Sequence, residues 1–299
     1  MLRWRIAISV VLIPLLAAVF YADARFGPIA VGLLALCLAV AIRSVWELVD
    51  LFRGQFPQLR TWLIMSCVGA VILAAWWPHI ADPVGTADST NLSMVSVVFS
   101  IVTMLLMASA AQRFQEPGTH TRTLGAELLI VAYVGLLLSI TAQLRWVAGH
   151  AAGYLAIGSL VVCVKGGDVG AYALGKLIGG PKMAPILSPK KTWAGFVGGI
   201  LGAVLFGLLW FWIATPWFLP TQPRPAIWAL VFYSMLLGGT GVLGDLCESL
   251  LKRDVGQKDS APLLPGFGGV LDLLDSLLFA GPVAYVLWQV LPMTPWLKS

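Results

Sequence analysis

Long apolar runs alternate with short polar segments along nearly the whole chain. A helix that crosses a bilayer needs about 20 mostly apolar residues, because its backbone groups must find their hydrogen-bond partners inside the segment. The pattern therefore predicts an all-α, polytopic integral membrane protein with about nine transmembrane helices. The predicted spans cover approximately residues 6–22, 27–46, 61–79, 92–110, 125–143, 150–166, 193–213, 226–243 and 271–291.

The start of the chain admits a second interpretation. Arg3 and Arg5 precede the first apolar run and small residues follow it at 22 and 24, which is also typical of a secretory signal. We favour a membrane span. Cleavage at this point would leave the orientation of the later helices unchanged.

Composition supports the membrane assignment. The chain is 59% hydrophobic and 11% charged, whereas soluble domains carry about 25% charged residues. An ordinary soluble globular protein is therefore excluded. The net charge of +5 is explained by cationic loops on the cytoplasmic side of a membrane, so we predict no nucleic-acid partner.

Positive residues are distributed unevenly between the two sides of the predicted membrane. Of the 19 Lys and Arg, all but four fall on the side of the N-terminus, and the four exceptions are Arg25, Arg145, Arg224 and Lys298. Because cytoplasmic loops are enriched in Lys and Arg, we predict a protein of the cell (inner) membrane. Its N-terminus and the loops at about 167–192 and 244–270 should be cytoplasmic, and its C-terminus outside.

Acidic residues are concentrated in the C-terminal half. Beyond Glu127, every carboxylate lies in or beside those two loops: Asp168, Asp245, Glu248, Asp254, Asp259, Asp272 and Asp275. Ionisable groups at a membrane edge usually face a cavity, a partner charge or a metal, although simple solvated loop charges are the alternative. We divide the chain into an N-terminal transmembrane region, 1–124, with spans one to four, and a C-terminal catalytic region, 125–299, with spans five to nine.

The first polar cluster runs from Lys165 to Lys176 and continues at Ser188–Trp193. Its glycines are expected to let the backbone approach a ligand closely, and its lysines suit phosphate oxygens. Alone, this cluster also fits a basic loop that contacts anionic lipid headgroups. In the following apolar span, the glycine pairs at 195/199 and 198/202 predict close helix packing, within the chain or across a dimer.

The second polar cluster lies at 244–259. If it is helical, Asp245, Glu248, Ser249 and Lys252 share one face, because they stand at i, i+3, i+4 and i+7.

A third cluster follows at 265–276, where a glycine-rich segment leads to Asp272 and Asp275, three residues apart. Paired carboxylates beside Lys and Arg are typical of oxygen ligands for a hard divalent cation, with the basic groups on phosphates. This combination favours phosphoryl or nucleotidyl transfer, in which positioning and charge neutralisation supply most of the catalysis.

These motifs resemble the phosphatidate cytidylyltransferase (CDP-diacylglycerol synthase) family. The downstream family signature is matched in order and spacing by Ser249, Lys252, Arg253, Lys258, Asp259, Pro265, Gly266, Gly268, Gly269, Asp272 and Asp275. The upstream pattern is matched by Asp168, Gly170, Ala171, Tyr172, Ser188, Pro189, Lys191, Thr192, Trp193 and Gly195. Phe267 and Leu273 depart from the signature, which has His and Arg at these positions.

The resemblance implies attack by a phosphatidate phosphate on the α-phosphorus of CTP, which yields CDP-diacylglycerol and diphosphate. It implies Mg²⁺, with a monovalent cation as a further candidate. The glycine spacing described above leaves a homodimer as a candidate assembly. The residues that we expect to bind the metal are Asp245, Asp272, Asp275 and Glu248. Those expected to be catalytic are Asp245, Asp272, Lys252 and Arg253. Those expected to bind substrate are Asp168, Tyr172, Ser188, Lys190, Lys191, Thr192, Ser249 and Lys258.

Two other functions stay open at this point. Because neither Phe267 nor Leu273 can exchange a proton or clamp a phosphate as His or Arg can, the chain could be a catalytically silent or specialised relative. A lipid transporter or scramblase could also line its path with such charges. We favour an active or specialised enzyme over a silent relative, because the expected metal-binding carboxylates are retained.

Overall fold

The structure is a computed structural model that describes residues 14, 18–23, 25, 27–82, 92–115, 117–118, 120–257 and 268–293. Eight long helices lie in these ranges: α1 (Val31–Phe52), α2 (Thr61–Ala81), α3 (Ser93–Gln112), α4 (His120–Arg145), α5 (Gly149–Leu177), α6 (Trp193–Phe218), α7 (Ile227–Asp254) and α8 (Leu271–Val290). A short antiparallel hairpin, β1 (Lys182–Ala184) and β2 (Ser188–Thr192), connects α5 to α6.

All eight of these helices are long and apolar enough to cross a membrane. They coincide with the second to ninth predicted spans, so the prediction of an all-α, polytopic membrane protein is confirmed. The first predicted span, 6–22, lies largely outside the described residues, and the total of nine stays a prediction.

Two predicted loops are partly helical. The segment 167–192 was expected to be a loop, but α5 continues through its first part to Leu177, and α7 likewise continues through 244–254. Both extensions carry charged residues after an apolar stretch. Because a span predicted from hydropathy ends with the apolar stretch, it ends before the helix does. The conditional prediction of a helix at Asp245–Lys252 is confirmed.

Two compact units make up the chain. The first consists of 1–142 and 255–273, and the second of 143–254 and 274–299. These units are defined by packing and do not test where a catalytic region begins. The division at residue 124 therefore stays a prediction.

A partly buried ion pair connects the start of α2 to α4 in the first unit. Arg60, just before α2, donates from Nε to Oε1 of Glu127 at 3.0 Å and from Nη2 to Oε2 at 2.8 Å. Arg60 also donates to the hydroxyl of Ser109 on α3. The hydrogen bond to Glu127 raises the pKa of the Arg60 guanidinium. This bidentate contact fixes α4 against the start of α2.

Glycines set the closest helix contact in the second unit, between α5 and α6. A Cβ at Gly170 would overlap the carbonyl oxygen of Gly198 and come within 2.9 Å of the Cα of Gly202. A Cβ at Gly166 would likewise lie 2.5 Å from the Cβ of Phe206. The predicted small-residue packing of α6 is thus confirmed within one chain. On the side where a Cβ would stand, Gly166 and Gly170 are covered by α6. The expectation that glycines of the first cluster let the backbone approach a ligand stays a prediction.

Candidate active site

The hairpin between α5 and α6 presents the first set of basic residues. Its strands pair with Lys182 opposite Thr192 and Ala184 opposite Ser188. Since successive side chains of a strand point to opposite faces, Lys190 is exposed while Lys191 is half-buried.

Three carboxylates converge where α7 meets α8. Asp245 and Glu248 come from α7 and Asp275 from α8, and one ligand oxygen of each lies within 4.8 Å of the others. Gly244 makes this approach feasible, because a Cβ there would stand 2.7 Å from the carbonyl oxygen of Asp275. Asp275 also accepts a hydrogen bond from the hydroxyl of Ser276 at 2.9 Å. The structure thus brings together three of the four carboxylates expected to bind a metal.

Two lysines contact this acidic cluster (Asp245, Glu248 and Asp275). Lys191 of β2 places Nζ 2.6 Å from Oδ2 of Asp245, and Lys252 places Nζ 2.8 Å from Oε2 of Glu248. Glu248 is 1% exposed and Lys252 8%, so water screens their interaction weakly. Each lysine offsets the repulsion that three neighbouring carboxylates would otherwise experience.

The end of α7 also reaches the hairpin. Arg253, which is exposed, donates from Nε to the carbonyl oxygen of Leu187 at 3.4 Å. Ser249 and Ser188 are both half-buried. Within the second unit, the end of α7 therefore contacts the hairpin. The predicted roles of Arg253, Ser249 and Ser188 in binding or catalysis stay predictions.

Thr192 has a defined structural role at the start of α6. Its hydroxyl accepts a hydrogen bond from the backbone N–H of Gly195 at 3.1 Å and caps the helix. The side chain is 5% exposed. Contact between Thr192 and a substrate stays a prediction.

The upstream candidates on α5 are more exposed. Asp168 pairs with Lys165 at 3.2 Å on the surface of the helix. Tyr172 is 70% exposed, with the ammonium of Lys176 5.7 Å from its ring centroid. Their roles in substrate binding stay predictions.

Asp272 stabilises the turn that leads into α8. Its Oδ2 accepts a hydrogen bond from the backbone N–H of Gly269 at 2.7 Å. Gly268 has φ +93°, and a Cβ at this position would overlap the Asp272 carboxylate, so only glycine fits. A role of Asp272 in metal binding or catalysis stays a prediction. Lys258 and Phe267 lie outside the described residues, while Leu273 is half-buried on α8.

Sequence reasoning missed one carboxylate near this turn. Glu47 of α1 is fully buried and accepts hydrogen bonds from the backbone N–H groups of Val270 and Leu271. The available signal was an acidic residue directly after the second predicted span, four positions after Arg43. An intramembrane carboxylate of this kind usually has a specific partner.

A family model described as the cytidylyltransferase family matches residues 3–291 of the chain. The chain belongs to this family. Cytidylyltransferases are nucleotidyltransferases, so the enzyme class and the resemblance expected from the motifs are confirmed.

Curated relatives in this family share extended stretches with the chain. The phosphatidate cytidylyltransferase of Chlamydia pneumoniae is 39% identical over 218 residues, which are 72% of this chain and 67% of that protein. The phosphatidate cytidylyltransferase of Staphylococcus aureus (strain COL) is 37% identical over 248 residues, or 83% and 86% of the two chains. That of Brucella suis biovar 1 (strain 1330) is 42% identical over 134 residues, 45% of this chain and 47% of that protein.

The geometry suits the chemistry of this family. Carboxylate oxygens are the preferred ligands of hard divalent cations, and ammonium groups interact favourably with phosphate oxygens. The acidic cluster with Lys191 and Lys252 supplies both kinds of group within the second unit. It resembles a site for a polyphosphate with its counter-cation.

Proposed function

We propose that this membrane protein is a phosphatidate cytidylyltransferase, which converts CTP and phosphatidate into CDP-diacylglycerol and diphosphate. The observation that carries the proposal is the convergence of Asp245, Glu248 and Asp275 beside Lys191 and Lys252. The names of the curated relatives point to the same reaction.

The acidic cluster fits a divalent metal in charge and in spacing. Mg²⁺ binds oxygens at about 2.0–2.1 Å, so ligand oxygens on opposite sides of the ion stand roughly 4 Å apart. The oxygens of Asp245, Glu248 and Asp275 lie within 4.8 Å of one another, and small side-chain rotations would complete such a site. We therefore propose these three residues as the principal Mg²⁺ ligands. When bound, Mg²⁺ would neutralise negative charge that develops on the triphosphate.

The lysines supply the complementary part of the reaction. Lys191 and Lys252 form ion pairs with Asp245 and Glu248, respectively. Once a metal cation binds these carboxylates, the two ammonium groups can contact phosphate oxygens instead. A phosphate oxygen of phosphatidate forms the new bond to the α-phosphorus of CTP. The bond from that phosphorus to the bridging oxygen of the β-phosphate breaks, and diphosphate leaves. The ammonium groups orient the nucleotide and balance charge on the leaving diphosphate.

Membrane placement brings both substrates to the same site. The acyl chains of phosphatidate would remain in the bilayer, and the headgroup would reach the helix ends that carry the acidic cluster. The excess of Lys and Arg on these loops supports a cytoplasmic location, where CTP is available. We propose the cell (inner) membrane as the location, with the C-terminus outside.

The test is a transfer assay with the purified full-length protein in detergent, given radiolabelled CTP, phosphatidate and MgCl₂. We expect labelled CDP-diacylglycerol, loss of product on chelation with EDTA, and recovery when Mg²⁺ is restored. Asp275→Asn and Glu248→Gln should each lower turnover by at least a hundredfold, because each removes a charged oxygen ligand. Asp254→Asn, at the exposed end of α7, is the matched control and should retain activity.

Three results would contradict this scheme. Near-normal turnover in Asp275→Asn and Glu248→Gln would reject the proposed ligand set. An inactive wild-type protein that gains activity only as the Phe267→His, Leu273→Arg double variant would instead identify a silent relative. Movement of phosphatidate between leaflets without CTP consumption would indicate a transporter.

A further inference from the structure

The residue immediately before α8 has no side chain that could cap the helix. The first backbone N–H groups of a helix have no partner within the helix, and Ser, Thr, Asp or Asn just before it usually supplies an acceptor. Val270 stands immediately before α8 and has no polar side-chain atom. The backbone donors at Val270 and Leu271 therefore need an acceptor from elsewhere in the fold.

Glu47 is that acceptor, although it stands 223 residues away from Val270 in the chain. Its Oε1 accepts a hydrogen bond from the N–H of Val270 at 3.0 Å and its Oε2 accepts one from the N–H of Leu271 at 2.9 Å. A carboxylate at this position also interacts favourably with the positive end of the helix dipole. All three residues belong to the first compact unit.

Arg43 fixes the carboxylate from the other side. Its Nε lies 2.9 Å from Oε1 of Glu47, one turn along α1. The Glu47 side chain is 0% exposed and that of Arg43 is 29% exposed. A buried charge is stable only when paired and hydrogen-bonded, and Glu47 meets both conditions in a single arrangement.

Three consecutive N–H groups at this turn are therefore bound by carboxylates: Gly269 by Asp272, and Val270 and Leu271 by Glu47. Asp275 follows Leu271 by four residues on the same helix, a rise of about 6 Å. A rigid first turn restricts the direction in which the Asp272 and Asp275 side chains leave α8. Loosening the turn would widen that range.

We propose that Glu47 is a positioning residue for the carboxylates of α8. Held by Arg43, it fixes the start of the helix and with it the orientation of Asp272 and Asp275. The catalytic consequence rests on the proposed function, whereas the structural contact does not. Neither motif of the family resemblance includes Glu47.

The test compares Glu47→Gln, Glu47→Ala and Asp50→Asn in the full-length protein. Glutamine keeps the shape but has one acceptor oxygen, so one of the two helix N–H groups loses its partner. Asp50 is an exposed carboxylate on the same helix and serves as the charge-matched control. For each variant, turnover, the KM for CTP, the Mg²⁺ concentration for half-maximal rate and the apparent melting temperature are measured. Hydrogen exchange of peptides covering 269–278 is followed with and without MgCl₂.

We expect Glu47→Gln to lower turnover and to raise the Mg²⁺ concentration for half-maximal rate. The product of these two changes should be about tenfold to a hundredfold, as is typical for residues that orient metal ligands. The KM for CTP at saturating Mg²⁺ should change less than turnover. Exchange at 269–278 should accelerate, and any Mg²⁺-dependent protection there should weaken. Glu47→Ala should be more severe, and Asp50→Asn should match the wild type. If Glu47→Ala does not fold, Glu47→Gln alone decides the question.

A Glu47→Gln protein with wild-type turnover and Mg²⁺ dependence would overturn the proposal, even if its exchange accelerated. Unchanged exchange at 269–278 would overturn it as well, because the cap would then be dispensable. Should the wild type make no CDP-diacylglycerol, the proposed function fails by itself. Hydrogen exchange of 269–278, compared between the wild type and the Glu47 variants with and without MgCl₂, would still show whether Glu47 orders the start of α8.

Discussion

Gly170 offers the sharpest test of the packing that supports the site. It lies on α5 against α6, where a methyl group would overlap the carbonyl oxygen of Gly198 and stand 2.9 Å from the Cα of Gly202. Both obstructing atoms belong to the backbone and cannot rotate away. Gly170→Ala must therefore push the two helices apart.

The magnitude follows from these distances. Carbon atoms are most stable at about 3.5–4.0 Å, so a methyl group 2.9 Å from the Cα of Gly202 requires a local separation of roughly 0.6–1.1 Å. Overpacking of this kind costs about 1–3 kcal/mol. Alanine recovers up to about 1 kcal/mol of helix propensity, which partly offsets that cost.

Gly239→Ala is the matched control. Gly239 lies on α7, and no described atom stands within 4 Å of the position where its Cβ would be. The control receives the gain in helix propensity without the overlap, so the difference between the two variants measures the packing cost alone.

The assay is thermal unfolding of both purified variants in the same detergent, followed by loss of the monodisperse peak in size-exclusion chromatography. With about 2–4 °C per kcal/mol, Gly170→Ala should melt roughly 2–12 °C below Gly239→Ala. Equal melting temperatures, or a higher one for Gly170→Ala, would refute the close contact between α5 and α6.

The remaining predictions concern β2 and the helix that follows it. Lys191→Met should cost less than about 1 kcal/mol of stability, because its pair with Asp245 is partly exposed. The same change removes a charge-assisted contact to phosphate of about 1.5–3 kcal/mol, so kcat/KM for CTP should fall roughly 10- to 150-fold. Lys182→Met is the control. If both variants lower kcat/KM for CTP equally, the role of Lys191 is rejected. Thr192→Ala should lower stability by about 0.5–2 kcal/mol, since it deletes the acceptor for Gly195. Thr192→Ser keeps the hydroxyl and should lose markedly less stability than Thr192→Ala, as measured by thermal unfolding. Equal losses of stability in the two variants would show that the cap contributes nothing.

Local patterns predicted much of the fold. Each membrane span is a continuous apolar run, so eight helices were located from hydropathy alone. Their ends were less predictable, because α5 and α7 carry charged residues beyond the apolar stretch. Hydropathy reports where a helix leaves lipid, and hydrogen bonding decides where it ends.

The candidate site was only partly predictable. The polar clusters and the family they resemble follow from residues close together in the chain. The packing of Gly170 did not follow from such local residues. The sequence pattern indicates a backbone that can approach a ligand, and in the fold Gly170 also packs closely against Gly198 and Gly202 of α6.

The sequence by itself determined that the chain is a helical membrane protein of the cytidylyltransferase family, because apolar runs and motif spacing are local properties. Only the tertiary structure decided that Asp245, Glu248 and Asp275 share one cluster, that Lys191 lies on Asp245, and that Glu47 caps α8. These contacts join residues far apart in the chain. They depend on how whole helices pack, and no local pattern encodes the distance between two helix faces.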